Sequence, residues 1–151
     1  MYFVTMCVQG MEHRFGRVEN SKVVLNPAGG LVYRTWIENA KRYPDATLDW
    51  FIVMPNHLHA IVIIGADPAE RGHPSDLSAI VGSFKSISTV EYGRGVRSGA
   101  FSPYDGSLWQ RGYYDRVLRD DHDLDRARQY IEANPGRWTE RQENSGPRHY
   151  P

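Results

Sequence analysis

His57-Leu58-His59 stands inside the most apolar stretch of the chain, which runs from Phe51-Ile52-Val53-Met54-Pro55-Asn56 through the histidines to Ala60-Ile61-Val62-Ile63-Ile64. Side chains alternate between the two faces of a strand, so both imidazoles would leave one face at a spacing that lets them share a cation. Burying two imidazoles among Ile and Val costs free energy unless each has a partner, either a metal ion or hydrogen-bonding neighbours in the core. A second group lies in Asp121-His122-Asp123-Leu124-Asp125-Arg126-Ala127-Arg128-Gln129-Tyr130-Ile131-Glu132-Ala133-Asn134-Pro135. Leu124, Ala127 and Ile131 mark a buried helical stripe there. Tyr130 and Asn134, four residues apart, stand one turn above each other on its flank. From that flank a phenol and an amide can point past the core toward an adjacent sheet. The spacing also suits a half-buried packing tyrosine and a helix-end residue shaped by Pro135. Acidic residues in the first turn favour the helix and would repel a DNA backbone at that end.

The elements that must position these groups follow from patterning. Tyr2 to Val8 is β-branched, aromatic and apolar, which predicts a strand beginning at the second residue with no arm before it. Val23-Val24-Leu25 predicts a short strand. Asn26-Pro27 matches a helix cap followed by proline at the first helical position. That helix carries Leu31, Val32, Trp36 and Ala40 on one face and stops before Pro44. Leu48 to Met54 and Leu58 to Ile64, broken by Pro55-Asn56, predict two paired central strands, and residues 65–75 a loop. A second helix starts at Asp76, with Leu77, Ile80, Val81, Phe84 and Ile87 at helical spacing. Residues 93–107 hold four of the 14 glycines and predict a mobile loop, and Leu108 to Leu118 a last strand. A third helix runs from about Asp121 to Asn134, where Pro135 disfavours helical geometry in the residue before it. The order β, α, β, β, α, β, α is not the alternation of a doubly wound sheet. It predicts an α+β domain with a mainly antiparallel central sheet and helices packed on one face.

The chain has 151 residues and zero formal net charge, from 18 Lys+Arg against 18 Asp+Glu, and the balance holds within each half. A single domain of this length buries enough surface to fold without disulfides or structural zinc. The lone Cys7 forms neither a disulfide within the chain nor a cysteine metal cage and reads as a core residue. No run approaches the ~20 apolar residues of a membrane span. A cytoplasmic protein with no membrane partner is expected. Zero net charge argues against a general electrostatic hold on nucleic acid, so any anion site must be local. The basic residues are 15 Arg and only Lys22, Lys41 and Lys85, and Arg is the better bidentate partner for phosphate.

Four segments in order carry a resemblance: Tyr2-Phe3-Val4-Thr5, Met54-Pro55-Asn56-His57-Leu58-His59, Trp109-Gln110-Arg111-Gly112-Tyr113-Tyr114-Asp115, and Tyr130-Ile131-Glu132-Ala133-Asn134-Pro135. Together they resemble the single-tyrosine HUH transposases, and among them the REP-associated tyrosine transposases. The likeness implies one ferredoxin-like domain over residues 1–138, followed by a polar tail at 139–151. It implies that His57 and His59 ligate a divalent cation, Mg²⁺ or Mn²⁺, with Asn134 as third ligand, and that Tyr130 is the nucleophile. A phenol with a pKa near 10 is a poor nucleophile at neutral pH and needs a polarised electrophile. The implied activity is cleavage and rejoining of single-stranded, hairpin-bearing DNA through a 5′-phosphotyrosine.

Substrate contacts are expected from Trp109, Tyr113 and Tyr114 stacking on bases, with Arg111, Arg116 and Arg119 on phosphate. Alternation along a strand sends neighbouring members of this set to opposite faces, and an aromatic core with solvated charges is the competing reading. Lys85, Arg94 and Arg97 flank the glycine-rich loop and suit a hairpin stem or plain solvation. Gln9-Gly10-Met11-Glu12-His13-Arg14 keeps a Gln and an Arg but departs from the polar turn usual in such proteins. The rival function is a non-catalytic single-strand nucleic-acid-binding domain on the same fold. A histidine-pair phosphoesterase ranks lower, because two separated His-x-Ser/Thr motifs are lacking. A homodimer and a monomer both remain open.

Overall fold

Alternation along two strands decides the layering. In β1 (Tyr2–Cys7) and β5 (His57–Ile64), Val4, Met6, Leu58, Ala60 and Val62 enter one buried apolar cluster, while Phe3 and Ile61 enter another on the opposite face. The computed structural model describes residues 1–65 and 75–141, with side chains to residue 138. Its other elements are β2 (Gly16–Glu19), β3 (Lys22–Leu25), α1 (Pro27–Ala40), β4 (Ala46–Met54), α2 (Leu77–Arg97), β6 (Tyr114–Val117) and α3 (Asp121–Arg141). The main sheet has the order β4-β5-β1-β6 with every pairing antiparallel, and β2 and β3 form a separate hairpin. Counted within the main sheet alone, the strands and first two helices form a βαββαβ unit, the split arrangement of ferredoxin-like domains.

The α+β class and the antiparallel sheet agree with expectation, but the helices are not all on one face. Residues of α1 and α2 join the cluster on the Val4/Leu58 face, whereas Leu124, Ala127, Tyr130 and Ile131 of α3 join the one on the Phe3/Ile61 face. At the start of α1 the Asn26 side chain accepts from the Gly29 N–H at 2.8 Å, as its cap position requires. A Cβ on Gly29 would stand 2.0 Å from the Phe15 carbonyl oxygen, so only glycine lets the helix start so close to the segment entering β2.

Several boundaries differ from the sequence pattern. The β2–β3 hairpin turns at Asn20 and Ser21, whose φ values of 50° and 58° form a two-residue left-handed turn without glycine. β4 pairs with β5 as expected, but it lies at the edge of the sheet rather than in its centre. The second helix continues through Gly93 and Gly95 to Arg97. Gly95 serves packing, because a Cβ there would stand 2.2 Å from the Phe101 ring. Of the strand expected over residues 108–118, only Tyr114–Val117 pairs as a strand, and Trp109 makes a lone bridge to Val8. Lys85 holds the carbonyls of Gln110 and Gly112 in between at 2.9 and 2.6 Å. The third helix does not stop at Asn134 but runs through Pro135 to Arg141. Pro135 forfeits one helical hydrogen bond. Burial of Ile131, Asn134 and Pro135, with Trp138 seated between His13 and His57, outweighs that loss. The loop at 66–74 and the tail beyond residue 141 lie outside the described residues.

Candidate active site

Register brings the site together. The two-residue Pro55-Asn56 turn pairs Met54 with His57, and β1 places Thr5 opposite His59 and Cys7 opposite His57. Both imidazoles leave the face covered by α3, where they are 2% and 1% exposed. Their Nε2 atoms stand 3.0 Å apart and the rings meet edge to face.

The outer ring nitrogens are held. Asn56 donates from Nδ2 to the Met11 carbonyl at 3.1 Å, which turns its Oδ1 toward His57 Nδ1 at 2.7 Å. That acceptor calls for a proton on His57 Nδ1, so the neutral ring presents a lone pair at Nε2. His59 Nδ1 meets Thr5 Oγ1 at 2.7 Å, a hydroxyl able to donate or accept. Donation from Thr5 leaves the His59 proton on Nε2, where it bridges to His57. Acceptance by Thr5 moves that proton to Nδ1, and two lone pairs then converge. Ligands at ~2.1 Å in adjacent octahedral positions lie about 3.0 Å apart, the spacing of this pair, so the two nitrogens are placed to share one divalent cation. Buried hydrogen-bond partners on the far nitrogens are what metal-binding histidines require.

α3 lays its own chemistry along the same pair. The Tyr130 ring lies 5.4 Å from the His59 ring and meets Phe3 edge to face at 5.7 Å. Two turns later the Trp138 ring lies 5.8 Å from His57. Asn134 is midway between these contacts, 4% exposed, and therefore sits on the turn that faces the histidines. Tyr130 is itself 6% exposed. The helix is tied to the sheet by Arg128, which donates from Nε and Nη2 to the two carboxylate oxygens of Asp49 at 2.8 and 2.7 Å. The β4–β5 register shifts between Leu48 and Phe51, next to Asp49, and such irregularities re-aim side chains. The Arg128 guanidinium holds the Asp49 carboxyl below its ordinary value.

The remaining candidates divide between the two faces. Arg116 and Tyr114 pair across β1 with Phe3 and Thr5, so they share the face of the histidines, at the sheet edge. Lys85 and Tyr113 belong to the α2 side, where the Tyr113 hydroxyl meets Ser78 at 3.2 Å and the Lys85 ammonium lies 6.0 Å from the Tyr113 ring. Burial lowers the Lys85 pKa, and burial raises that of the Cys7 thiol. Trp109 is 4% exposed, packs on Phe15 and Phe84, and donates to Ser88, so the core role holds and no face is open to a base. Arg111, Arg94 and Arg97 are exposed, with Arg94 paired to Glu91 at 2.6 Å. Asp120, His122 and Asp123 also cluster, but Asp120 caps the Asp123 N–H and Asp123 accepts from the Arg119 N–H and from Arg126. Those carboxylates are spent on starting α3.

Sequence patterning did not point to Asn56, Thr5 or Arg128 as supports, since each acts through a contact set by tertiary register. Nor does patterning single out Trp138, the last residue before the expected polar tail. No helix among the described residues is long and apolar enough to cross a membrane.

Comparison with known proteins places this arrangement. A Haemophilus influenzae protein described only as uncharacterised is 32% identical over 149 residues, covering 93% of this chain and 83% of its own. Two solved structures share the fold at low identity. One is a REP-associated tyrosine transposase bound to a REP hairpin, with TM-score 0.62 and 17% identity over 91% of this chain and 67% of that one. The other is a provisionally assigned transposase from Deinococcus radiodurans, with TM-score 0.51 and 19% identity over 87% of each chain. The profile of the family described as "Transposase IS200 like" matches residues 13–134, which takes in the histidine pair, Tyr130 and Asn134. The chain belongs to the IS200-like transposase family.

Proposed function

We propose that this chain cuts and rejoins single-stranded, hairpin-bearing DNA with Tyr130 as nucleophile. The observation that carries the reading is the packing of Tyr130 against His59, where the two imidazole Nε2 atoms converge at 3.0 Å. The hairpin carried by the REP-associated transposase of like fold supports the substrate class. His57, His59 and Asn134 would hold a divalent cation, Mg²⁺ or Mn²⁺, which when bound supplies positive charge to the scissile phosphate and to the leaving oxygen.

The residues do the rest. Tyr130, lodged between Phe3 and His59, presents one phenolic oxygen at a fixed place, which favours in-line attack. Its oxygen bonds to phosphorus, the bond from phosphorus to the 3′-oxygen breaks, and the phenolic proton passes by way of solvent to the departing oxygen. A 5′-phosphotyrosine and a free 3′-hydroxyl result. Because the ester to Tyr130 preserves the phosphodiester linkage, a second 3′-hydroxyl can reverse the step and join a new strand without ATP. Arg116 and Tyr114, on the site face at the sheet edge, are the substrate contacts the register favours. Arg111, Arg94 and Arg97 remain candidates for contacts farther from the reacting phosphate.

The test incubates the full chain with Mg²⁺ or Mn²⁺ and hairpin-bearing single-stranded DNA, followed by denaturing electrophoresis. A denaturation-resistant adduct that needs the ion and vanishes in Tyr130→Phe is expected. Binding without an adduct, or an adduct that persists in Tyr130→Phe, would establish the binding-domain alternative or another nucleophile.

A further inference from the structure

Arg137 follows Tyr130 at i+7 and Asn134 at i+3, so α3 carries all three along one side. Long helical side chains lean back toward the start of their helix. Arg137 does so, with its guanidinium carbon 5.7 Å from the centre of the Tyr130 ring. That lies inside the range at which a cation is drawn to an aromatic ring.

Its situation differs from that of the other arginines on this helix whose side chains are described. Arg126 is paired with Asp123, and Arg128 with Asp49 and Asp125. Arg137 is exposed and makes no ion pair among the described residues. Trp138, the next residue, is seated between His13 and His57 and fixes the turn from which Arg137 projects. An uncommitted guanidinium thus lies beside the ring of the proposed nucleophile. It belongs to neither the motif residues nor the arginines singled out in the sequence.

We propose that Arg137 is a substrate-binding catalytic residue that holds a non-bridging oxygen of the phosphate attacked by Tyr130. The inference rests on the reading of Tyr130 as nucleophile. A phosphorus atom in position for attack must come within about 3–3.5 Å of the phenolic oxygen. Its charged oxygens then enter the space beside the ring where the guanidinium already sits. Guanidinium is planar and stays charged at any working pH, which suits paired hydrogen bonds to phosphate. As charge shifts over the phosphoryl oxygens in the transition state, those bonds strengthen, so the effect falls on rate more than on affinity. Arg137 exchanges no proton, and the atom balance of the cleavage step is unchanged.

The test compares the native chain with Arg137→Ala, Arg137→Gln and Arg137→Lys in the presence of Mn²⁺ and hairpin-bearing single-stranded DNA. Adduct formation is followed in a single turnover at saturating DNA, and Kd is measured separately. Arg137→Ala and Arg137→Gln should slow adduct formation on the order of 100-fold, with Kd changed less than about threefold. Arg137→Lys should recover part of the rate, and added guanidinium ion should partly rescue Arg137→Ala. Because the side chain is exposed and makes no ion pair with the described residues, the melting temperature of each variant should match the native chain. A native rate in Arg137→Ala, or a defect confined to Kd, would overturn the proposal while leaving Tyr130 in place. A native chain that forms no Tyr130-dependent adduct would instead overturn the reading of the site on which the proposal stands.

Discussion

The sheet shows two different proteins, one on each face. Toward α1 and α2, β1 and β5 send Val4, Met6, Leu58, Ala60 and Val62 into the larger apolar cluster, closed by Trp36, Phe84 and Trp109. Toward α3, the intervening residues are Phe3, Thr5, Cys7, His57, His59 and Ile61, and the apolar cluster is smaller. Seven polar residues are buried among those described. Five of them (Thr5, Asn56, His57, His59 and Asn134) gather on or beside the α3 face. The two on the other face are tied into the core, Asn39 by donating to the Ile80 carbonyl and Ser88 by accepting from Trp109. Burial of polar groups costs stability, and the apolar face supplies the surplus that offsets it. Strand alternation lets one pair of strands do both jobs.

Adjacent residues can therefore be used to break the two faces apart. The largest effect should come from Tyr130→Phe, which keeps the ring packed on Phe3 and His59 and removes only the hydroxyl. Adduct formation should disappear while the melting temperature stays close to native. An unfolded or destabilised Tyr130→Phe would show that the phenol belongs to the fold. The converse substitution is Leu58→Ala, between the two histidines but fully buried on the opposite face. It should cost ~2–5 kcal/mol in denaturant unfolding and still form adduct wherever the protein remains folded. Abolished chemistry in folded Leu58→Ala would mean the faces are not separable.

The difference between faces also explains what could be read without coordinates. The histidine pair was legible because strand period and the cost of burying imidazole both bear on adjacent residues. Tyr130 and Asn134 were legible as a flank because helical spacing is local. Thr5 and Asn56 as supports were not, since Thr5 reaches His59 only through a register that joins residues 54 positions apart. Asn56 is oriented toward His57 by its second bond, to the Met11 carbonyl. The continuation of α3 past Pro135 was hidden for a similar reason. Local preference says stop at that proline, and the packing of Trp138 against His13 and His57 says otherwise. The placement of α3 opposite the other helices was invisible as well, because an amphipathic stripe does not specify which face of a sheet receives it.

A smaller and more diagnostic effect is expected at Thr5. Its hydroxyl can donate to His59 Nδ1 or accept from it, so His59 can carry its proton on either nitrogen. Thr5→Val keeps the shape and deletes that freedom. Divalent-ion affinity, measured by titration calorimetry with Mn²⁺, should fall about 10–100-fold, and Thr5→Ser should restore most of it. Equal Mn²⁺ affinity in Thr5→Val and the native chain would assign the Thr5–His59 bond to packing alone.

The smallest effect tests what ties the two regions together, the Asp49–Arg128 pair that fastens α3 to β4. The guanidinium depresses the Asp49 pKa from its ordinary value of 3.8. A carboxyl whose pKa is lower in the folded state than in the unfolded chain stabilises the fold above the unfolded value. That stabilisation is lost as pH falls through the folded value. Native protein should therefore melt somewhat above Asp49→Asn at neutral pH. The gap should persist down to about pH 4 and then narrow at lower pH. Adduct formation at neutral pH should drop only modestly in Asp49→Asn, because the apolar stripe of Leu124, Ala127 and Ile131 still seats the helix. A melting gap that does not change between neutral and strongly acidic pH would mean that the pair contributes through shape rather than charge. α3 would then be held on the histidine face by the same apolar packing that builds the opposite one.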